Sequence, residues 1–316
     1  MNVLSARSEQ VGLLAKDAAP LRLASKGQAA LCTLISIDGP FSRALGAQFA
    51  IDEAGETAGD MTGGCLDAAL ARECANARVD GERRVLRYGQ GSPFIDIRLP
   101  CGGGLDISIE PFPNAGECTA AVGRLLERQP INMALPLPGT AAAMELRSWQ
   151  PEERSFLAED AGIFHRVYYP GLRVIVFGDS PEATALVRLC AFHGVESQQL
   201  TPAGAERPGG LFLGQAPQDM KIDPWTAVVL MFHDHDWEVP IIVWALQTTA
   251  FYIGALGGQR TAASRRVLLG TRGWDDTALR RVEGPIGLFG PARDADTLAL
   301  SVLTDLVARY HRNCSS

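Results

Sequence analysis

Two short runs constrain this chain more than any other feature. Arg173-Val174-Ile175-Val176-Phe177 and Thr226-Ala227-Val228-Val229-Leu230-Met231-Phe232 are apolar almost from end to end. Both are shorter than a buried helix needs. Unbroken apolarity, in place of alternation, marks a strand covered on both faces, as in a parallel sheet. Parallel neighbours cannot be joined by a hairpin, so helices must cross between them. The sequence supplies these: helical patterns over 182–193 and after Asp236, a further strand over 251–256, another helix, and a long final helix from Asp294 to about His311. On that last helix Leu298, Val302, Leu306 and Tyr310 share one face, a stripe for the core. The alternation predicts an α/β fold whose second domain, residues 169–316, is a Rossmann-like doubly wound parallel sheet.

The first half, residues 1–168, reads differently, as a mixed α+β domain ending at the linker Tyr169-Pro170-Gly171. An amphipathic helix is expected over 6–18, and strands over 29–37, 48–51, 85–88, 95–99 and 105–110. Helices are expected over 66–77 and 118–128. From Gln129 to Pro170 the pattern weakens; short strands are expected near 131–135 and 142–147, broken by Pro136 and Pro138.

Charge and cysteine content narrow the function. With 36 acidic against 29 basic residues the net charge is −7, which argues against nucleic acid or an anionic membrane as partner. No apolar run reaches the roughly 20 residues that span a bilayer, and no export signal is visible at the amino terminus. Seven cysteines without CxxC spacing fit a reducing compartment, so a cytoplasmic protein is expected.

Two of those cysteines lie in glycine turns: Thr62-Gly63-Gly64-Cys65-Leu66-Asp67 and Pro100-Cys101-Gly102-Gly103-Gly104. Consecutive glycines are costly to order and are kept where backbone must approach something closely. Cys65 precedes a predicted helix, whose dipole favours a thiolate able to act as nucleophile or soft ligand. The competing reading is that each thiol simply packs in the core. Cys32, inside a strand, and Cys190, inside a helix, are assigned to core. Arg43, in the loop Gly39–Gly46, is either a solvated side chain or a clamp for phosphate or carboxylate.

In the second half Gly178-Asp179-Ser180-Pro181 occupies the place of a dinucleotide fingerprint, but Ser180 stands where a second glycine would admit the pyrophosphate. Ser180-Pro181 reads instead as an N-cap with proline in the first helical turn. Thr201 stands where a ribose-binding acid belongs. The fold expectation therefore survives and an NAD(P) site does not. His233-Asp234-His235-Asp236, with Glu238 behind it, follows the second apolar strand at the edge where open α/β sheets bind ligands. It is either a metal or cofactor site or a polar loop capping the next helix, a role open to Asp236. Gly257-Gly258-Gln259-Arg260 is either an anion cradle or an ordinary βα turn.

Taken together these segments resemble the xanthine dehydrogenase accessory family of XdhC and CoxI type. The resemblance rests on Gly39 through Gly46 with Arg43, on Gly63-Gly64-Cys65-Leu66-Asp67, on Arg87-Tyr88-Gly89 through Cys101-Gly102-Gly103, on His233-Asp234-His235, on Tyr252 through Gly257, and on Gly284-Pro285-Ile286-Gly287-Leu288. It implies a molybdenum-cofactor chaperone that protects the cofactor (molybdopterin), assists its sulfuration and inserts it into a molybdenum hydroxylase apoenzyme. Such a protein is an accessory factor more than a catalyst. It implies a homodimer that also meets a cysteine desulfurase. Carried onto this chain, Cys65 and Cys101 would contact molybdenum or sulfur, Arg43 the phosphate, and Gly63, Gly64, Asp67, Gly102, Gly103, His233, His235, Gly257 and Arg260 would complete the cofactor contacts. The family's usual Gly-Ala-Gly-His turn is Gly178-Asp179-Ser180-Pro181 here. Two readings from other classes stand beside it: an NAD(P)-dependent oxidoreductase, and a metal-dependent hydrolase centred on His233 and His235.

Overall fold

The computed structural model describes residues 18–61, 65–92, 103–202, 211–217, 220–232 and 235–315. They divide into two compact units, Leu14–Pro170 and a second that contains Gly171–Ser316. Residues 6–17 of the helix expected over 6–18, the strand expected over 95–99, and Gly63, Gly64, Cys101, Gly102 and His233 fall outside the described residues.

The first unit is built on two antiparallel sheets. One contains β1 (Ala29–Asp38), β2 (Gln48–Asp52), β3 (Thr57–Gly59), β4 (Arg84–Gly89) and β5 (Gly104–Glu110), in the order β3-β2-β1-β5-β4. β1 takes the central place, and its first seven residues are buried. Its alternate side chains feed two cores: Leu31 and Ile35 pack with helices α1 (Ala19–Ala24) and α3 (Ala115–Leu126), whereas Ala30, Cys32 and Leu34 pack beneath α2 (Cys65–Asp80). On α2 the buried residues Leu66, Leu70, Cys74 and Ala77 fall at helical spacing and form its inward stripe.

The second sheet, β6 (Ile131–Pro136), β7 (Glu145–Ser148), β8 (Phe156–Ala158) and β9 (Ile163–Tyr168), has the order β7-β6-β9-β8. Its last two strands were not expected from the sequence. β9 carries two polar residues inside the sheet, His165 and Arg166, which hide its apolar pattern. His165 is buried between Asn132, 3.3 Å from its Nδ1, and the Phe156 ring stacked 4.7 Å away. Arg166 lies over the Tyr168 ring.

The second unit is the parallel sheet anticipated above, with β10 (Arg173–Phe177), β11 (Glu196–Leu200), β12 (Thr226–Leu230), β13 (Tyr252–Ala255) and β14 (Val282–Glu283) ordered β11-β10-β12-β13-β14. All four pairings are parallel. Alternate residues face opposite sides, which is the doubly wound arrangement. Val174, Val176, Ala227 and Val229 pack with α4 (Pro181–His193) and α8 (Ala295–Ser315), and Ile175, Phe177, Val228 and Leu230 pack with α5 (His235–Leu246). Val302 and Leu306 of the final helix are buried in that core, with Leu298 and Tyr310 packed at its margin. Chain order relative to sheet order reverses between β10 and β12, so the loops after those strands flank the switch point where such sheets receive ligands.

Ser180 caps α4 as the sequence predicts: its hydroxyl accepts from the Ala183 N–H at 3.2 Å, and Pro181 opens the first turn. Replacing it by alanine, Ser180→Ala, is expected to destabilise the second unit by about 1 kcal/mol, read as a lower urea midpoint with an unchanged slope.

Candidate functional site

In the first unit the described flanks of both glycine–thiol turns come together on one loop. β1 ends at Asp38, opposite Gly104 of β5, so Gly39 and Gly103 leave the sheet side by side. The approach is backbone against backbone. A Cβ placed on Gly103 would overlap the Asp38 carbonyl oxygen, and one placed on Gly39, whose φ is +85°, would lie 3.5 Å from the Gly103 Cα. Glycine at Gly103 is required by space, which gives this part of the Gly102–Gly104 run its physical reason.

Farther along the same loop Arg43 donates to the carboxylate of Asp60 and to its carbonyl oxygen at 3.3 Å. Asp60 follows β3 and stands five positions before Cys65. Arg43 is therefore already engaged, half-exposed, with the chain that enters the Gly63-Gly64-Cys65 turn. Cys65 itself is the first residue of α2, a helix of 16 residues, so it starts where partial positive charge accumulates. Asp67 lies in the first turn of that helix, a favourable place for a carboxylate.

The residue that fixes this arrangement is Arg87, which enters the sequence reading only as part of Arg87-Tyr88-Gly89, one of the runs carrying the resemblance, without a role of its own. From β4 its guanidinium reaches the carboxylate of Asp38 at the end of β1, Asp106 of β5 at 2.9 Å and the carbonyl of Gln90 at 3.0 Å. The Gln90 N–H then donates to the Gly103 carbonyl at 2.9 Å. Gly104 is kept bare by the same group, since a Cβ there would strike the guanidinium. The hydrogen bond to Asp38, offset by some desolvation and aided by Asp106, holds the Arg87 charge more firmly than in water. The pattern of an arginine facing aspartates on two neighbouring strands becomes visible only once β1, β5 and β4 are paired in register.

The remaining described thiols are structural. Cys32 and Cys74 lie buried with sulfurs 3.2 Å apart, and that contact, then burial, pushes the Cys32 thiol well above its ordinary range. Burial pushes Cys118 and Cys190 up to about 12. This matches the assignment of Cys32 and Cys190 to the core.

In the second unit β12 runs through Met231 and Phe232 toward His233, and α5 begins at His235. Asp236 thus lies within the first helical turn instead of capping it. Glu238 is not available to a metal. It is buried and accepts two 3.0 Å hydrogen bonds from the equally buried Arg265 of α6 (Gln259–Gly270). This pair pins the helix after β12 to the helix after β13. Gly257 has φ +130°, and a Cβ there would press Thr261 at 2.7 Å. Arg260 is exposed on the first turn of α6, a helix whose N-cap, Gly258, offers no side chain. At the switch point the Gly178 backbone packs against the Met231 carbonyl, 2.6 Å from where a Cβ would sit. Among the described residues no three His, Cys, Asp or Glu side chains gather as a metal site, and no helix is long and apolar enough to cross a membrane.

Comparison with known proteins follows the same division. Residues 22–89 match the XdhC and CoxI family, and residues 174–306 match the XdhC Rossmann domain. The chain is 35% identical, over 293 residues, to the molybdenum cofactor insertion chaperone PaoD of Escherichia coli strain K12, covering 92% of this chain and 86% of that protein. The chain belongs to the XdhC and CoxI family. A crystal structure described as a xanthine dehydrogenase from Bacillus halodurans superposes with a TM-score of 0.67 over 93% of this chain and 96% of that one, at 19% identity, a likeness of fold. The XdhC and CoxI membership agrees with the resemblance drawn from Arg43, the two glycine–thiol turns and the His233–His235 loop.

Two outcomes follow from the geometry. Gly103→Ala is expected to destabilise the first unit by about 1–3 kcal/mol, the usual range for overpacking, measured by chemical denaturation. Cys32, Cys118 and Cys190 are expected to resist iodoacetamide in native protein at about pH 8 and to react fully once unfolded, because the thiolate is the reactive form, as read by peptide mass spectrometry. The sign of the accompanying pH effect is fixed. Folded Cys118 and Cys190 keep protons that unfolded thiols release, so their contribution is complete below about pH 8.5 and is lost as pH rises toward the folded value of about 12.

Proposed function

We infer that this chain binds the mature molybdenum cofactor as cargo and inserts it into the apo form of a molybdenum hydroxylase of xanthine dehydrogenase type, protecting it and assisting its sulfuration before transfer. The observation that carries this reading is the 35% identity to an insertion chaperone across 92% of the chain. Side-chain chemistry supports it. The cargo joins an anionic phosphate to a pterin dithiolene and a metal, and such a ligand calls for cationic, soft-sulfur and backbone N–H partners together.

In this reading Cys65 and Cys101 contact molybdenum or its sulfur ligand, with Gly63, Gly64, Gly102 and Gly103 letting the backbone approach and Asp67 ordering the first turn of α2. Arg43 takes the phosphate. Its present partner, Asp60, is an exposed carboxylate, and exposed pairs of this kind are worth little and exchange readily. In the second unit His233, His235, Gly257 and Arg260 offer a separate set of contacts to the cargo. The protein acts as an accessory factor in the cytoplasm, as a homodimer, with the apoenzyme and a cysteine desulfurase as partners. The oxidoreductase reading is weakened by Ser180, which is committed to capping α4, and by Gly178, which is packed on Met231.

Isolated molybdenum cofactor should remain with wild-type protein at close to one molybdenum per chain after ultrafiltration and metal analysis. Cys65→Ala and Cys101→Ala should each lose most of it, and Arg43→Ala should weaken retention by about tenfold, the worth of one charge-assisted anion contact. Folded wild-type protein that retains no molybdenum would overturn the reading.

A further inference from the structure

A cleft of about 340 Å³ opens on the second unit between α6 and the segment that runs from α7 (Asp276–Leu279) through β14 to Gly284-Pro285. That volume is at the lower end of small-ligand sites. Its floor is apolar, from Leu269, Leu279 and Val282. Into its wall comes the buried Arg265, only 2% exposed. Three of that residue's five N–H groups are spent: Nε and one Nη2 hydrogen on Glu238, and the other Nη2 hydrogen on the Leu256 carbonyl at 2.6 Å. The two on Nη1 make no hydrogen bond among the described residues. They face Gly284, where an added Cβ would lie 3.2 Å from Nη1. A guanidinium held on its other side by protein partners, with two donors unspent and open to a cavity, is placed to meet an acceptor on a ligand.

The chemistry of that acceptor can be narrowed. The charge of Arg265 is already matched by Glu238, and a second anion beside Nη1 would face the Glu238 carboxylate. Arg266, at the mouth, is matched by Asp276 at 2.7 Å. A neutral acceptor such as a ring carbonyl therefore fits better than phosphate. The slot between α6 and Pro285, floored by Leu269 and Leu279, suits the faces of a flat ring. Gln259, at the rim, has a side-chain amide uncommitted among the described residues, and its oxygen can accept from a ring amino group. The geometry points to this cleft as a site for a 2-amino-4-oxopyrimidine ring, the portion shared by pterin and guanine. Resting on the cargo reading above, it would hold the ring end of the cofactor or of a nucleotide extension, with Arg265 on the carbonyl and Gln259 on the amino group.

The test uses full-length protein with free pterin, followed by its own fluorescence anisotropy, and with guanosine and inorganic phosphate as competitors. Ala263→Trp narrows the mouth from an exposed helix position, so it blocks the cleft without removing a core contact. Saturable pterin binding, displaced by guanosine but not by phosphate and weakened about tenfold or more in Ala263→Trp, a loss of 1.4 kcal/mol or more, is expected. Tighter binding of pterin than of guanosine assigns the cofactor ring, and the reverse order assigns a nucleotide. Absence of saturable binding to folded wild type, displacement by phosphate alone, or equal binding to the variant would overturn the assignment. Molybdenum retention measured on the same samples separates the two ideas. Retention without pterin binding overturns the cleft and leaves the chaperone reading, whereas pterin binding without retention supports the cleft and removes that reading.

Discussion

The amino-terminal candidate site depends on where one guanidinium puts its donors. Arg87 meets Asp38, Asp106 and the Gln90 carbonyl from three different segments. A lysine could not do this, because a point charge fixes no plane and holds fewer partners in register. Each contact is partly open to solvent, so the network contributes position more than stability. Position is what two glycine turns need. With Asp38 held, the Gly39 backbone can rest against Gly103. From there the loop carries Arg43 across to Asp60, on the approach to Cys65.

The second unit solves a comparable problem with a different device. Its loops leave the carboxyl edge of a parallel sheet, where strand register fixes their roots but not the angle of the helices that follow. Glu238 and Arg265 fix that angle. Both are almost completely buried, so the desolvation cost is large and is offset only because the carboxylate takes two hydrogen bonds and the guanidinium finds a further carbonyl. Removal of either partner would leave a lone buried charge, a far worse outcome than replacing both. The pair is therefore evidence that the spacing of α5 and α6 matters.

Much of this was legible in the sequence. Buried parallel strands announce themselves as apolar runs, so β10 and β12 were found nearly to the residue. Ser180-Pro181 was read as a cap because the two residues do so locally, with no help from distant chain. Four of the five strands of the first sheet were found, β3 being missed, but the consequence of their pairing was not. Arg87, Asp38 and Asp106 look like ordinary surface charges until pairing sets β1 beside β5 and β5 beside β4. β8 and β9 were missed for a related reason: His165 and Arg166 interrupt the apolar pattern, and their burial is made tolerable by partners such as Asn132 and Phe156, distant in sequence, and the Tyr168 ring. Glu238 shows the opposite error. Its closeness to two histidines in sequence suggested a ligand, yet its partner was an arginine 27 positions later.

The thiols show how the fold assigns different work to one side chain. Cys118 and Cys190 sit where desolvation makes a thiolate expensive, and Cys32 is further disfavoured by the neighbouring Cys74 sulfur. These groups act as small hydrophobes, and sequestering them removes competing soft ligands from the reach of a metal. Cys65 begins a helix, where the dipole acts in the other direction. A carrier that must release its cargo gains from such a separation. Cores hold their contents by packing that only unfolding undoes, whereas loops and helix ends hold a ligand by hydrogen bonds and charge that another protein can replace. The Arg43–Asp60 pair fits this logic: the side chain expected to grip the phosphate already rests on an exposed carboxylate, so taking up cargo and giving it back both exchange one modest ionic contact for another.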